Sequence, residues 1–440
     1  MQPSNAMNDF DRIAPDTWTS GGSVRPNSHE QANIARAFLA RAREQGLIHR
    51  FAEDEHFDGR SITLDGRSLI NFGSCSYLGL ETDARLKAAA CDAVNRYGVQ
   101  FSTSRAYVAA PLYLELESLL SQMAGGAPVV LAATASLAHQ SALPALIGER
   151  DAVLYDIQVH ASVQATLPDL RQRGVVCEPV PHNRLDRLEQ RVQLLQRSHD
   201  RVFYLADGVY SMHGDRLNAR ALFELLDRQP ALFAYVDDAH GVGWSGARGA
   251  GTVLGHRPIH ERMAVVFGLA KSFGSAGGAI VLPDRTLADR VLLGGRTLIF
   301  SGPIQPAQLG AGVASAKIHL SNELPVLQAG LQARIEAFER AARNVNLATS
   351  SSDVSPIRFL PVGDEQRTAE IVKKLMERGY FVNIAMYPAV ARRRAGLRLM
   401  LTAHQTLSDI VNLVNEIARL LTHGTPELGS SPKSAPHAAL

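Results

Sequence analysis

The chain has 440 residues, 46% hydrophobic and 20% charged, enough to bury a large core divided between a big domain and a smaller one. Its 45 basic and 43 acidic residues leave a net charge of +2, too weak a field to make nucleic acid or an anionic membrane the main partner. Cys75, Cys91 and Cys177 lie far apart without paired spacing, so neither a disulfide framework nor a metal site is expected. The first residues lack a basic and apolar leader pattern, and no apolar stretch approaches the ~20 residues of a membrane span. A reducing, cytoplasmic setting with no transmembrane segment is the expectation.

Residues 1–28 and 423–440, rich in small polar residues, Pro and Gly, read as disordered tails. A helical pattern over 31–45 and β-like stretches at 62–64 and 69–72 make 29–75 an N-terminal segment of one helix and short strands. Within 76–322, apolar runs of strand length alternate with amphipathic stretches, at 129–132, 153–155, 175–177, 202–206, 232–236, 265–267 and 279–282. Runs buried on both faces and separated by helices predict an α/β fold, a mostly parallel seven-stranded sheet with helices on both sides. One long helical region, 303–345, leads into a smaller C-terminal α/β unit, 323–422. Its pattern is βαβ-like: 357–360, a helix at 367–378, 380–382, 397–401 and a closing helix from 407.

Two of these runs end in chemistry. Asp237 closes the run 232–236, with Ala239 and His240 behind it, and Lys271 follows the run 265–267. A lysine amine can hold pyridoxal phosphate as a Schiff base and then move a substrate's α-proton. An aspartate against the pyridine nitrogen keeps it cationic, so that the ring accepts the electrons of a carbanion. Taken singly, each residue reads as well as a surface lysine or an ordinary turn aspartate.

The surrounding residues carry the weight. Val236-Asp237-Asp238-Ala239-His240-Gly241, Tyr77-Leu78-Gly79, His160-Ala161-Ser162, His182-Asn183 and Asp207-Gly208-Val209-Tyr210-Ser211-Met212 stand in one chain. So do Lys271 with Phe273-Gly274, Ile299-Phe300-Ser301, Tyr387-Pro388 and Leu397-Arg398-Leu399. Taken in chain order, over about residues 65–422, they resemble the α-oxoamine synthase family, which includes 8-amino-7-oxononanoate synthase, 2-amino-3-ketobutyrate CoA ligase and serine palmitoyltransferase. The resemblance implies the fold-type I architecture of pyridoxal-phosphate enzymes, a homodimer with shared active sites, and joining of an amino acid to an acyl-CoA or acyl-carrier-protein thioester. That reaction loses carbon dioxide and gives an α-amino ketone. Another pyridoxal-phosphate reaction on the same fold, aldol cleavage or transamination, is the alternative.

By the same resemblance, Lys271, His160, Asp237 and His240 are the candidate catalytic residues. His160 would stack on the cofactor ring, His240 and Ser211 would address its phenolic oxygen, and Arg398 would bind the substrate carboxylate. The phosphate would rest on Thr134, Ala135 and Ser136 at a helix N-terminus, with Ser301 nearby. Here the chain departs from the family pattern: Gly268 stands where a threonine is usual, and Ser301-Gly302 replaces a pair of hydroxyl residues. Restoring a hydroxyl with Gly268→Thr is therefore expected to tighten cofactor binding, unless the glycine is there because its backbone needs a positive φ. Ser76, Val108, Tyr113 and the stretch Ala403-His404-Gln405-Thr406 also depart from the pattern, near the family's acyl-substrate entrance. They imply a specialised branch rather than a primary-metabolism member.

Overall fold

The computed structural model describes residues 28–422. The expected tails lie outside the described residues, apart from Ser28, which begins the helix Ser28–Glu44.

The central sheet has seven strands in the order Val129–Ala132, Gly278–Val281, Met263–Gly268, Leu232–Asp237, Val202–Asp207, Ala152–Asp156 and Val176–Val180. Gly278–Val281 runs antiparallel to both neighbours, and the remaining pairs are parallel. Alternation explains why these strands read as continuous apolar runs. Leu154, Tyr204, Val236, Val265 and Phe267 join one core, while Val153, Phe203, Tyr235 and Val266 join another on the opposite face.

The expected single helix over 303–345 is two, Pro306–His319 and Leu324–Asn344. Pro325 has no amide to give to a continuing helix and suits the first turn of a new one. Ser321 fills the break, its hydroxyl donating to Ile318 O and accepting from Glu323 N.

The C-terminal strands also differ from a plain βαβ unit. Ile357–Gly363 and Asn383–Ala385, joined through the helix Glu365–Glu377, are both antiparallel to Ala395–Met400, which lies between them. Strands Ser61–Leu64 and Arg67–Asn71 extend toward this unit, the second pairing in parallel with Tyr380–Phe381. Phe38, Ala42 and Phe72 accordingly share one core with Ile335, Leu397 and Ile410. Among the described residues, no helix is long and apolar enough to cross a membrane.

Candidate active site

The parallel strands bring two carboxylates together. Register pairs Asp207 with Asp237 at the ends of adjacent strands, and Gly208 N donates to Asp237 O at 2.7 Å. Two buried carboxylates this close do not ionise alike. Burial pushes the Asp207 carboxyl well up, the neighbouring Asp237 charge adds to that, and the backbone N–H of His160, donating to Asp207 Oδ1 at 3.0 Å, offsets only part. For Asp237, burial also opposes ionisation, but the favourable electrostatics and hydrogen bond of His139, then the electrostatics of Lys271 and His160, outweigh it and hold the carboxyl well below its usual range. Asp237 Oδ2 accepts from His139 Nε2 at 2.9 Å and Oδ1 from Ala239 N at 3.0 Å. The next residue, Asp238, is a structural pin, accepting from Thr252 N, Thr252 Oγ1 and Val253 N.

Lys271 sits on the tight turn between Met263–Gly268 and Gly278–Val281, where Leu269 N bonds Gly277 O and Gly274 N bonds Lys271 O. Its charge is felt by Asp237, Asp207, His160 and His240, so the expected residues converge.

Both expected histidines are presented as neutral donors. His240 is buried, and desolvation, then the charges of Lys271 and Arg398, push it well below its ordinary value. Its Nδ1 meets the Tyr77 hydroxyl at 2.8 Å. Burial keeps that phenol protonated, so it can donate to Nδ1 in the tautomer that carries the imidazole proton on Nε2. His160 caps the helix Ala161–Gln164, its Nδ1 accepting from Ser162 N at 3.2 Å, and desolvation lowers its pKa. Its Nε2–H is therefore left for the cavity. Helix capping and a role toward the cavity are thus compatible in one ring.

That cavity, about 690 Å³, lies between the large domain and the C-terminal unit, lined by His160, Tyr210, Ser211 and Met212 on one side and by Tyr387, Val390 and Arg394 on the other. Arg398 is aimed by its Nε–H, which donates to Ser211 O at 2.7 Å, and its Nη2 stands 3.9 Å from Cys75 Sγ. Ser211 therefore contributes its carbonyl to holding the arginine, besides any use of its hydroxyl.

Thr134 caps the helix Ala135–Leu146, its Oγ1 accepting from Leu137 N at 3.0 Å. First-turn amides have no intrahelical acceptor, which leaves those of Ala135 and Ser136 for an anion. Gly278 permits this close approach, since a Cβ there would lie 2.6 Å from Ala135 N. The expectation for Gly268 is overturned. A Cβ at that position would lie 2.6 Å from the Cβ of Ala239, so Gly268→Thr would distort the turn behind Asp237. At Gly302, by contrast, nothing stands within 4 Å of an added Cβ. Ser301 is half-buried on the loop after the helix Arg296–Ile299 and makes no side-chain hydrogen bond among the described residues.

Sequence reasoning does not single out His139, Tyr235, Tyr77 and Asp207 as site residues, nor His182, which bridges Asp156 Oδ1 at 2.9 Å and Asp215 Oδ2 at 2.6 Å beneath the loop carrying Ser211. A signal exists for Asp207, which ends its apolar run just as Asp237 does. No pattern within one segment could pair His139 with Asp237.

A lysine and an ionised aspartate at neighbouring strand ends of a mostly parallel seven-stranded sheet define a fold-type I pyridoxal-phosphate enzyme. Residues 67–417 match the aminotransferase class I and II family. The 8-amino-7-oxononanoate synthase of Coprothermobacter proteolyticus is 30% identical over 374 residues, covering 84% of this chain and 93% of its own. A serine palmitoyltransferase from Sphingobacterium spiritivorum is 28% identical, covering 86% and 93%. The solved Sphingomonas wittichii serine palmitoyltransferase has the same fold, with a TM-score of 0.80 at 22% identity over 91% of this chain and all of that one. The chain belongs to the aminotransferase class I and II family and, within it, to the α-oxoamine synthases.

Proposed function

We propose that this enzyme condenses an amino acid with an acyl thioester and releases carbon dioxide to give an α-amino ketone. The single observation that carries the reading is the convergence of Lys271, ionised Asp237 and two neutral histidines beside an arginine aimed by Ser211. This donor set fits pyridoxal phosphate: Asp237 suits the ring nitrogen, the Nε2–H groups of His240 and His160 suit the phenolic oxygen and ring face, and the amides of Ala135 and Ser136 suit the phosphate. Bound there, the cofactor supplies an electron sink for negative charge at the substrate's α-carbon.

The chain's own groups do the rest. Arg398 fixes the amino acid's carboxylate, its Nε–H held by the Ser211 carbonyl. Lys271 moves the α-proton. Apolar Val390 and Met212 line the cavity beside His160, and Arg394 stands at its wall where a phosphate-bearing carrier would pass.

A homodimer completes the site in this reading. Tyr107 and Phe300 are large apolar side chains left 86% and 84% exposed, the kind of surface a second copy covers. Ser301, adjoining Phe300, is then offered to the phosphate of the neighbouring subunit. The altered acyl-side residues Ser76, Val108 and Tyr113 support a specialised substrate and pathway. The purified enzyme should release free thiol from an acyl-CoA or acyl-carrier thioester only when an amino acid is present. Conversion of a 2-oxo acid without thiol release would instead identify an aminotransferase.

A further inference from the structure

Asp237 has a second layer behind it. Tyr235 precedes it by two residues on the same strand, so both side chains share one face of the sheet. The helix Ala135–Leu146 brings His139 against that face, with its ring edge-on to Tyr235 at 5.7 Å between centroids. His139 Nδ1 meets the Tyr235 hydroxyl at 2.9 Å while Nε2 meets Asp237 Oδ2 at 2.9 Å, and both His139 and Tyr235 are fully buried. A carboxylate accepts only, so Nε2 carries a proton, and the Tyr235 hydroxyl, kept protonated by burial, is the partner of Nδ1.

The same helix offers its first-turn amides at Ala135 and Ser136. His139 lies four residues beyond Ala135, on the same helical face and about 6 Å along the axis, a span of the order of that from the cofactor's ring nitrogen to its phosphate. One rigid element thus addresses both ends of the cofactor.

We propose that His139, backed by Tyr235, is a positioning residue that holds Asp237 ionised and correctly oriented for the cofactor's ring nitrogen. This rests on the proposed seat of that nitrogen at Asp237. The charged and titratable groups around Asp237 are Asp207 on the adjacent strand, Asp238 beside it, Lys271 on the next turn, and His160 and His240 from the site loops. Among those that favour its ionised form His139 is the largest, and removing it lets burial raise the carboxyl.

The test is titration of cofactor-free protein with pyridoxal phosphate from mildly acidic to mildly alkaline pH, with circular dichroism as the check on folding. Loss of a hydrogen bond to a charged acceptor predicts that His139→Leu weakens cofactor affinity roughly ten- to a hundredfold, most at acid pH. His139→Gln, whose amide keeps a donor near the Nε2 position, should recover part of it. Tyr235→Phe should shift affinity the same way by less. If His139→Leu does not fold, His139→Gln and Tyr235→Phe decide the matter: wild-type affinity and pH dependence in both overturn the proposal. Asp237→Asn is run in parallel. Weakening there with no effect of the His139 and Tyr235 variants sinks the positioning role alone, and a silent Asp237→Asn sinks the seat at Asp237 with it.

Discussion

The two ends of the proposed cofactor seat are built differently. At the ring end each side chain is held by another: Asp237 by His139, His139 by Tyr235, His240 by Tyr77, and Arg398 by the Ser211 carbonyl. At the phosphate end the groups are backbone amides, a threonine hydroxyl already capping its own helix, and two glycines. The contrast follows from what each end must do. A buried carboxylate keeps its charge only with close partners in a low-dielectric setting, so losing one partner is costly. A phosphate is satisfied by helix-terminal N–H groups whatever the side chains, so hydroxyl positions there can change at less cost.

The largest expected effects lie at the ring end. Lys271→Ala should lower turnover by several orders of magnitude and abolish the cofactor's visible absorbance, with the far-ultraviolet circular dichroism unchanged. Asp237→Asn should slow exchange of the substrate α-proton by about a hundred- to a thousandfold, the range for losing one electrostatic partner of a reacting centre. Isotope exchange followed by nuclear magnetic resonance measures it, and a wild-type rate would erase the distinction between the two ends.

Smaller effects are expected at the phosphate end. Ser136→Ala should weaken cofactor affinity by no more than about tenfold if the amides carry most of the load. Gly302→Thr should be tolerated and should tighten binding if this loop reaches a neighbouring subunit's phosphate, whereas Gly268→Thr should lower thermal stability through its clash with Ala239. Equilibrium dialysis and thermal melts separate these outcomes.

The mildest prediction concerns pH. Although burial disfavours its charge, the hydrogen bonds it donates to Asp156 and Asp215 hold His182 at about 9, above its ordinary value of 6.5. A raised folded-state pKa gives stability that is complete below the unfolded value and is lost as pH rises through the folded one. The melting temperature should therefore decline from about neutral pH through pH 9, and His182→Gln should flatten that decline.

Much of this was legible in the sequence because strands buried on both faces announce themselves as apolar runs. The run 129–132 coincides with its strand, and 232–236 falls one residue short of Asp237. Asp237, Lys271, His160 and His240 could be found because each ends or follows such a run, or sits in a family motif. His139 could not, since a histidine inside an apolar helix reads as core, and its bond to Asp237 spans 98 residues. Nor could the crowding at Gly268, which depends on how Ala239 turns after the neighbouring strand. Pairing across strands and packing of a helix onto them are properties of the assembled sheet.

The most direct test of the account is where the cofactor attaches. Borohydride reduction of the cofactor-loaded enzyme, followed by peptide mapping, should place the pyridoxyl group on Lys271 in the wild type and leave Lys271→Ala unlabelled. A label on Lys317 or any other lysine would contradict the assignment on which the ring end is built.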